Sequence, residues 1–170
     1  MTTFFTADTH FGHGKIITYC KRPYLTADEM DADIIRRWNS VVGLDDDVIH
    51  MGDFSFRNRQ DVFHKLNGRK HLIIGNHDDR KTLTLPWASQ PVHYREMTVR
   101  DAEGMDRHLI LFHYPIEEWD GFFRGTIHLH GHVHGKQMQP CDKMRVDVAV
   151  DCFEFTPVTI DQILAKVSND

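Results

Sequence analysis

Five short stretches of this 170-residue chain end in side chains that bind metals. They are Asp8-x-His10 in "ADTH", Gly52-Asp53 in "HMGD", Gly75-Asn76-His77-Asp78 in "GNHD", His113 after "LILF", and Gly131-His132-x-His134 in "HGHVH". Each follows a run of apolar residues. Asp, Asn and His carry the oxygen and nitrogen donors that divalent ions accept, and no thiolate occurs in the set. Taken singly, each stretch has an ordinary explanation: Gly, Asn and Asp are turn formers, and a single His113 reads as a hydrogen-bonding histidine. Two imidazoles two residues apart after a glycine are harder to place without a partner. In layered α/β sheets, functional residues gather beyond the C-terminal ends of the strands. Five strand ends meeting at one rim would bring Asp8, His10, Asp53, Asn76, His113, His132 and His134 together as a metal site rather than as core.

The elements that must position these residues follow from the apolar pattern. "TTFFTA" (2–7), "DVIHMG" (47–52) and "KHLIIG" (70–75) read as strands. Residues 26–42 read as a helix, with Thr26 and Glu29 at capping-box spacing. Its apolar face carries Met30, Ile34, Trp38 and Val41, and Gly43 is the expected stop. "QDVFHKLNG" (60–68) reads as a short helix. After Pro86 the pattern becomes β-rich: 92–99, 107–112, 126–131 and 144–150 read as strands, and 160–167 as a closing helix. This order fits sheet layers covered by helices. Of the other histidines, His50, His64, His71, His93 and His108 read as surface or strand residues. His128 and His130 lead into the site as wall residues.

Composition narrows the function. One compact domain over residues 1–170 fits the length, and 41% hydrophobic residues suffice for a core. The apolar runs are too short to span a bilayer, and no signal peptide is visible, so a cytoplasmic location is expected. Cys20, Cys141 and Cys152 lack CxxC spacing and read as free thiols. A net charge of −5 argues against a dedicated binder of long nucleic acid.

On these motifs the chain resembles the calcineurin-like metallophosphoesterases, whose set is D-x-H, G-D, G-N-H-D/E, a single His after a strand, and G-H-x-H. It is similar in particular to a small single-domain bacterial and phage branch. The shared pieces are "DTHFGH", "RP" with an aromatic, "EM…W", "GDF", "GNHD", "HYP", "LHGHVHG", "VDV" and "P-V", from residue 7 to about 160. The resemblance implies a four-layer αββα sandwich of two mixed β-sheets flanked by helices. It implies two ions, one on Asp8, His10, Asp53 and His134, the other on Asp53, Asn76, His113 and His132. Asp53 would then bridge, since a carboxylate offers two anionic oxygens. Mn²⁺ is favoured, with Fe, Zn, Ni or Co compatible. The implied reaction is hydrolysis of a phosphate mono- or diester by a water activated between the ions. His77 would be the general acid, with Asp78 positioning its ring.

Bases follow the motifs. His13, Arg22, Arg57 and Arg80 are the candidates to contact substrate, Arg bidentately, with Tyr24 and Tyr114 as pocket walls. The expected partner is a small, nucleotide-like phosphate ester, with no membrane and no long nucleic acid. The competing readings are a non-catalytic metal-binding scaffold of the same fold, a nuclease, and a histidine-rich metal store. The third does not explain donors at five strand ends.

Overall fold

The computed structural model describes residues 1–136 and 144–167. Cys141 lies outside these residues; Cys20 and Cys152 are free thiols. Strands β1 (Thr3–Thr6), β2 (Asp47–His50) and β3 (Arg69–Leu72) form a parallel sheet in that order. Their register aligns Thr6 with His50 and His50 with Leu72, so all three chains leave the sheet on one side. Single bridges extend this sheet, from Ile73 to Val92 and, antiparallel, from Phe5 to Val158. Strands β4 (Tyr94–Arg100), β5 (Asp106–Phe112), β6 (Ile127–His130) and β7 (Arg145–Asp147) form a second, mixed sheet. There β4 is antiparallel to β5, while β5, β6 and β7 run parallel.

The layered α/β sandwich expected from the resemblance is the architecture observed. The helices are α1 (Gly14–Tyr19), α2 (Ala27–Val41), α3 (Arg59–Lys65), α4 (Arg80–Leu83) and α5 (Ile160–Val167). Phe4 and Val48 of the first sheet pack against Ile16, Met30, Ile34, Trp38, Val62 and Phe63 from α1 to α3. Phe5, Ile49 and Met51 face the other way, onto Leu109, Leu111, Leu129 and Val146 of the second sheet. Ile160 and Ile163 of α5 complete that inner core. Alternation along β1 and β2 thus divides two apolar layers, as period two requires.

Helix α2 starts as its sequence suggests: Thr26 Oγ1 accepts from Glu29 N–H, and Glu29 reaches back to Leu25 N–H. Its inward face carries Met30, Ile34 and Trp38. Val41, expected there, is exposed, and Val42 beyond the helix end is buried instead. The end of β7 crosses between the sheets: Val148 N–H donates to His130 O, and Val150 N–H donates to Ala7 O. This crossing joins the rims of the two sheets.

Candidate metal centre

Beyond β1 the backbone remains tied to the chain beyond β2. Asp8, His10 and Phe11 donate their N–H groups to the carbonyls of Gly52, Asp53 and Phe54. The chain beyond β2 is packed so tightly against the chains beyond β3 and β5 that a Cβ on Gly52 would lie 2.6 Å from Gly75 N and from His113 Nδ1. Gly52 also has φ +95°, which L side chains rarely adopt. The second sheet is fixed to the same rim. Gly131 N–H donates to His113 O, His132 N–H donates to Asp8 Oδ2 at 2.8 Å, and His113 Nδ1 donates to Met51 O at 2.7 Å.

These contacts bring all seven expected donors together. His10 Nε2 lies 3.8 Å from Asp8 Oδ1 and 3.6 Å from Asp53 Oδ2. His134 Nε2 lies 3.9 Å from Asp8 Oδ1. On the other side, His113 Nε2 is 3.6 Å from the same Asp53 Oδ2 and 3.0 Å from Asn76 Oδ1. His132 Nδ1 is 3.0 Å from Asn76 Oδ1. The donors therefore form two lobes that share Asp53. Donor atoms around one ion with bonds of about 2.1 Å stand roughly 3–3.5 Å apart, close to these separations.

Unpartnered buried donor atoms fit cations at this position. Asp8 Oδ1 and both ring nitrogens of His10 are buried with no hydrogen-bond partner among the described residues, which is costly without a ligand. Burial raises the Asp8 carboxyl well above the usual carboxylate range. Burial and the neighbouring His134 push His10 far below the usual imidazole range. Burial would also depress His134, but its hydrogen bonds to Asp151 and Cys20 and the charge on Asp8 outweigh that and raise it to about 10. Five donors, Asp8, His10, Asp53, His132 and His134, have positive φ. Asp and His tolerate this region better than bulkier residues, yet it remains uncommon and clusters at functional sites.

Three expected roles are corrected or relocated. Asp78 does not orient the His77 ring. Its Oδ2 accepts from Asp53 N–H at 2.9 Å and Gly75 N–H at 2.8 Å, and its Oδ1 accepts from Phe54 N–H at 3.0 Å. Asp78 thus folds the second and third motifs together. Arg22 is not a substrate contact: its side chain is fully buried and paired with Asp151. Tyr24 does line a pocket, with Asp33, Arg37 and Phe155, but none of the seven donors lines it; its hydroxyl donates to Asp33 and its ring packs on Phe155.

The remaining residues fall around the mouth. His77 is exposed; its N–H donates to Asp53 Oδ1 at 2.8 Å, and its ring lies 5.8 Å from that of His10. His13 stacks on Phe56 at 4.1 Å and stands 5.5 Å from His10. Tyr114 packs edge-on to His132 at 4.7 Å. Arg57 and Arg80 are exposed, and no contact among the described residues ties either to the donor group. His128 and His130 are buried and bond to backbone carbonyls. Sequence reasoning missed Phe56 and Asp151. Phe56 follows "GDF", and Asp151 lies three residues after "VDV"; neither has a local pattern of its own. In "VDV", Asp147 accepts from Gly135 N–H and thereby holds the loop that carries His132 and His134.

Fold and site together define an α/β sandwich with an Asp/Asn/His donor cluster at its strand ends. No family model matches the chain. An uncharacterised protein of Methanocaldococcus jannaschii is 28% identical over 171 residues, covering 95% of this chain and 88% of that protein. The Gene 66 protein of Mycobacterium phage L5 is also 28% identical, over 182 residues, covering 89% and 87%. Among solved structures, a protein of unknown function from Aquifex aeolicus superposes with a TM-score of 0.72 at 22% identity, covering 97% of this chain and 98% of that one. The likeness in structure establishes the fold. Among the described residues no helix is long and apolar enough to cross a membrane.

Proposed function

We propose that this protein is a phosphoesterase of the calcineurin-like metallophosphoesterase superfamily, using two divalent ions, with Mn²⁺ favoured. The observation that carries this reading is the position of Asp53: one carboxylate oxygen stands 3.6 Å from an imidazole of each lobe. Asp8, His10 and His134 complete one ligand set; Asn76, His113 and His132 complete the other. Ions held there would supply Lewis acidity to phosphoryl oxygens and would lower the pKa of a water.

The chain's own residues do the rest. Asp78 and the paired glycines hold Asp53 between the lobes. His77, anchored through its backbone to Asp53 and exposed at the mouth, gives a proton to the leaving-group oxygen. Arg57, exposed beside Phe56 and His13, offers a guanidinium to substrate oxygens, and Arg80 remains a second candidate. The substrate class we favour is a small nucleotide-like mono- or diester, handled in the cytoplasm.

The test is hydrolysis of p-nitrophenyl phosphate and bis-p-nitrophenyl phosphate with and without Mn²⁺, alongside elemental analysis of the protein. Two ions per chain and hydrolysis abolished by chelation are expected. At most one ion under saturation sinks the two-ion site. Two ions without hydrolysis of these esters or of a panel of nucleotides would mark a non-catalytic scaffold.

A further inference from the structure

Arg22 and Asp151 are 129 residues apart in sequence, yet their side chains form a closed fork. Arg22 Nε donates to Asp151 Oδ1 at 2.8 Å, and Nη2 donates to Oδ2 at 2.8 Å. The guanidinium also donates to Asp8 O at 2.7 Å and Thr9 O at 3.1 Å. It therefore grips the backbone of the first motif. Asp151 sits on a 3-10 turn, Val150–Cys152, fixed to β1 by the Val150–Ala7 hydrogen bond. The Asp151 carboxylate has a third contact, from Oδ2 to His134 Nδ1 at 2.8 Å. Arg22 thus holds Asp151, and Asp151 in turn meets the imidazole.

An ion pair this buried is weak as a source of stability, because desolvation offsets much of its attraction. What it supplies is direction. A carboxylate that accepts a hydrogen bond from Nδ1–H fixes both the tautomer and the ring plane of a histidine and leaves Nε2 as the ligand atom. Here that Nε2 faces Asp8 Oδ1 at 3.9 Å. Among the described residues no carboxylate supports the other ligand histidines in this way: His10 has no hydrogen bond on either nitrogen, His113 uses a backbone carbonyl, and His132 Nδ1 meets the Asn76 amide oxygen.

We propose that Arg22 and Asp151 are a positioning pair for His134, setting its Nε2 toward the lobe formed with Asp8 and His10. A lysine at 22 could not replace the arginine, since it lacks the planar fork that spans both oxygens of Asp151. Cys20 also stands beside this pair, its Sγ within 4.8 Å of the His134 and Asp151 donor atoms. The thiol is a poorer acceptor than the carboxylate.

This inference rests on the proposed metal site, so the experiment separates the two. Long-range ¹H–¹⁵N correlation spectra of the ion-free wild-type protein read the His134 ring directly. A proton on Nδ1, lost or displaced in Asp151→Asn and unchanged in Cys20→Ser, is expected. A bare Nδ1 in the wild type, or a signal that follows Cys20 instead, overturns the pair's role. Calorimetric titration with Mn²⁺ then compares wild type, Asp151→Asn and Arg22→Lys. One of two binding steps should weaken about 10–100-fold while the other stays within about threefold, the range expected for outer-shell support. Equal weakening of both steps, or no change in variants that fold, overturns the proposal. Should Asp151→Asn fail to fold, Asp151→Glu takes its place in the same two-step comparison. If the wild type takes up no ion, the proposed function falls, and the ring spectrum alone decides the positioning role.

Discussion

Asp78→Asn replaces a carboxylate by an isosteric amide and tests what that residue holds. In the wild type, Oδ2 accepts two backbone N–H groups and Oδ1 accepts one, at 2.8 to 3.0 Å. An amide oxygen placed at Oδ2 would keep two acceptances without the charge. The amide NH₂ would then face Phe54 N–H, donor against donor. An unsatisfied buried N–H costs about 1–3 kcal/mol, and losing charge assistance costs roughly 1 kcal/mol for each of the other two bonds. Burial raises the Asp78 pKa despite its three donors, so removing the charge recovers part of this. A net loss of about 2–4 kcal/mol remains, equivalent to roughly 5–15 °C in Tm for a chain of this size. Mn²⁺ affinity should fall as well, because the Asp53 and Phe54 backbone is what Asp78 secures. Thermal melts read by circular dichroism and Mn²⁺ titration measure both effects. A variant that melts within about 2 °C of wild type, binds Mn²⁺ normally and loses hydrolysis only for poor leaving groups would refute the reasoning. That outcome would return Asp78 to orienting His77.

Other outcomes follow from the same geometry. At saturating Mn²⁺, Asp53→Asn should abolish turnover more completely than His10→Ala, since Asp53 Oδ2 faces both lobes; equal residual rates would mean that Asp53 serves one ion. His77→Ala should slow alkyl and nucleotide esters by about 10²–10⁴-fold while sparing nitrophenyl esters, which leave readily without a proton, and metal content should stay at the wild-type level. A uniform loss across both ester types would make His77 a stabiliser of phosphoryl charge. Burial raises Asp31 to about 6, even though its two oxygens accept from Gly12 N–H. Its folded pKa lies above the unfolded value of about 3.9, so the native state binds the proton more tightly and stability falls as pH rises from about 4 to 6. Relative to Asp31→Asn, the wild type should lose about 1–2 kcal/mol between pH 4 and 7, after discounting for partial exposure. A stability gap constant across that range would show that the carboxylate keeps an ordinary pKa in the fold.

Much of the frame could be read from residues close in sequence. The apolar stretches within 2–7, 47–52 and 107–112 mark strands, and Thr3–Thr6, Asp47–His50 and Asp106–Phe112 are strands there. Helix α5 spans Ile160–Val167, the segment its pattern marks, because Ile160 and Ile163 must face inward together. The short helices α1 and α4 carried no such signal. Helix α1 has Ile16 as its buried residue, too little for a periodic pattern. Helix α4 has four residues started by Asp79, whose carboxylate accepts from Lys81 and Thr82, a cap that looks in sequence like the continuation of "GNHDD".

The misread residues share a physical cause. Adjacency suggested that Asp78 serves His77 and that Arg22, following the first motif, faces substrate. Both inferences assumed that side chains near a motif point toward its ligand. At this rim the backbone turns to positive φ at Asp8, His10, Asp53, His132 and His134, so the period-two rule that assigns faces along a strand ends there. Past such turns, direction is set by whichever distant group completes the hydrogen bonds. For Asp78 these are amides about 25 residues back in the chain, at Asp53 and Phe54; for Arg22 it is a carboxylate 129 residues on. Donor identity is local, because each motif supplies its own atoms. Donor orientation is not, because buried charges in this site are satisfied across the chain. The residues that aim the ligands are therefore where mutation should separate metal affinity from metal-binding capacity.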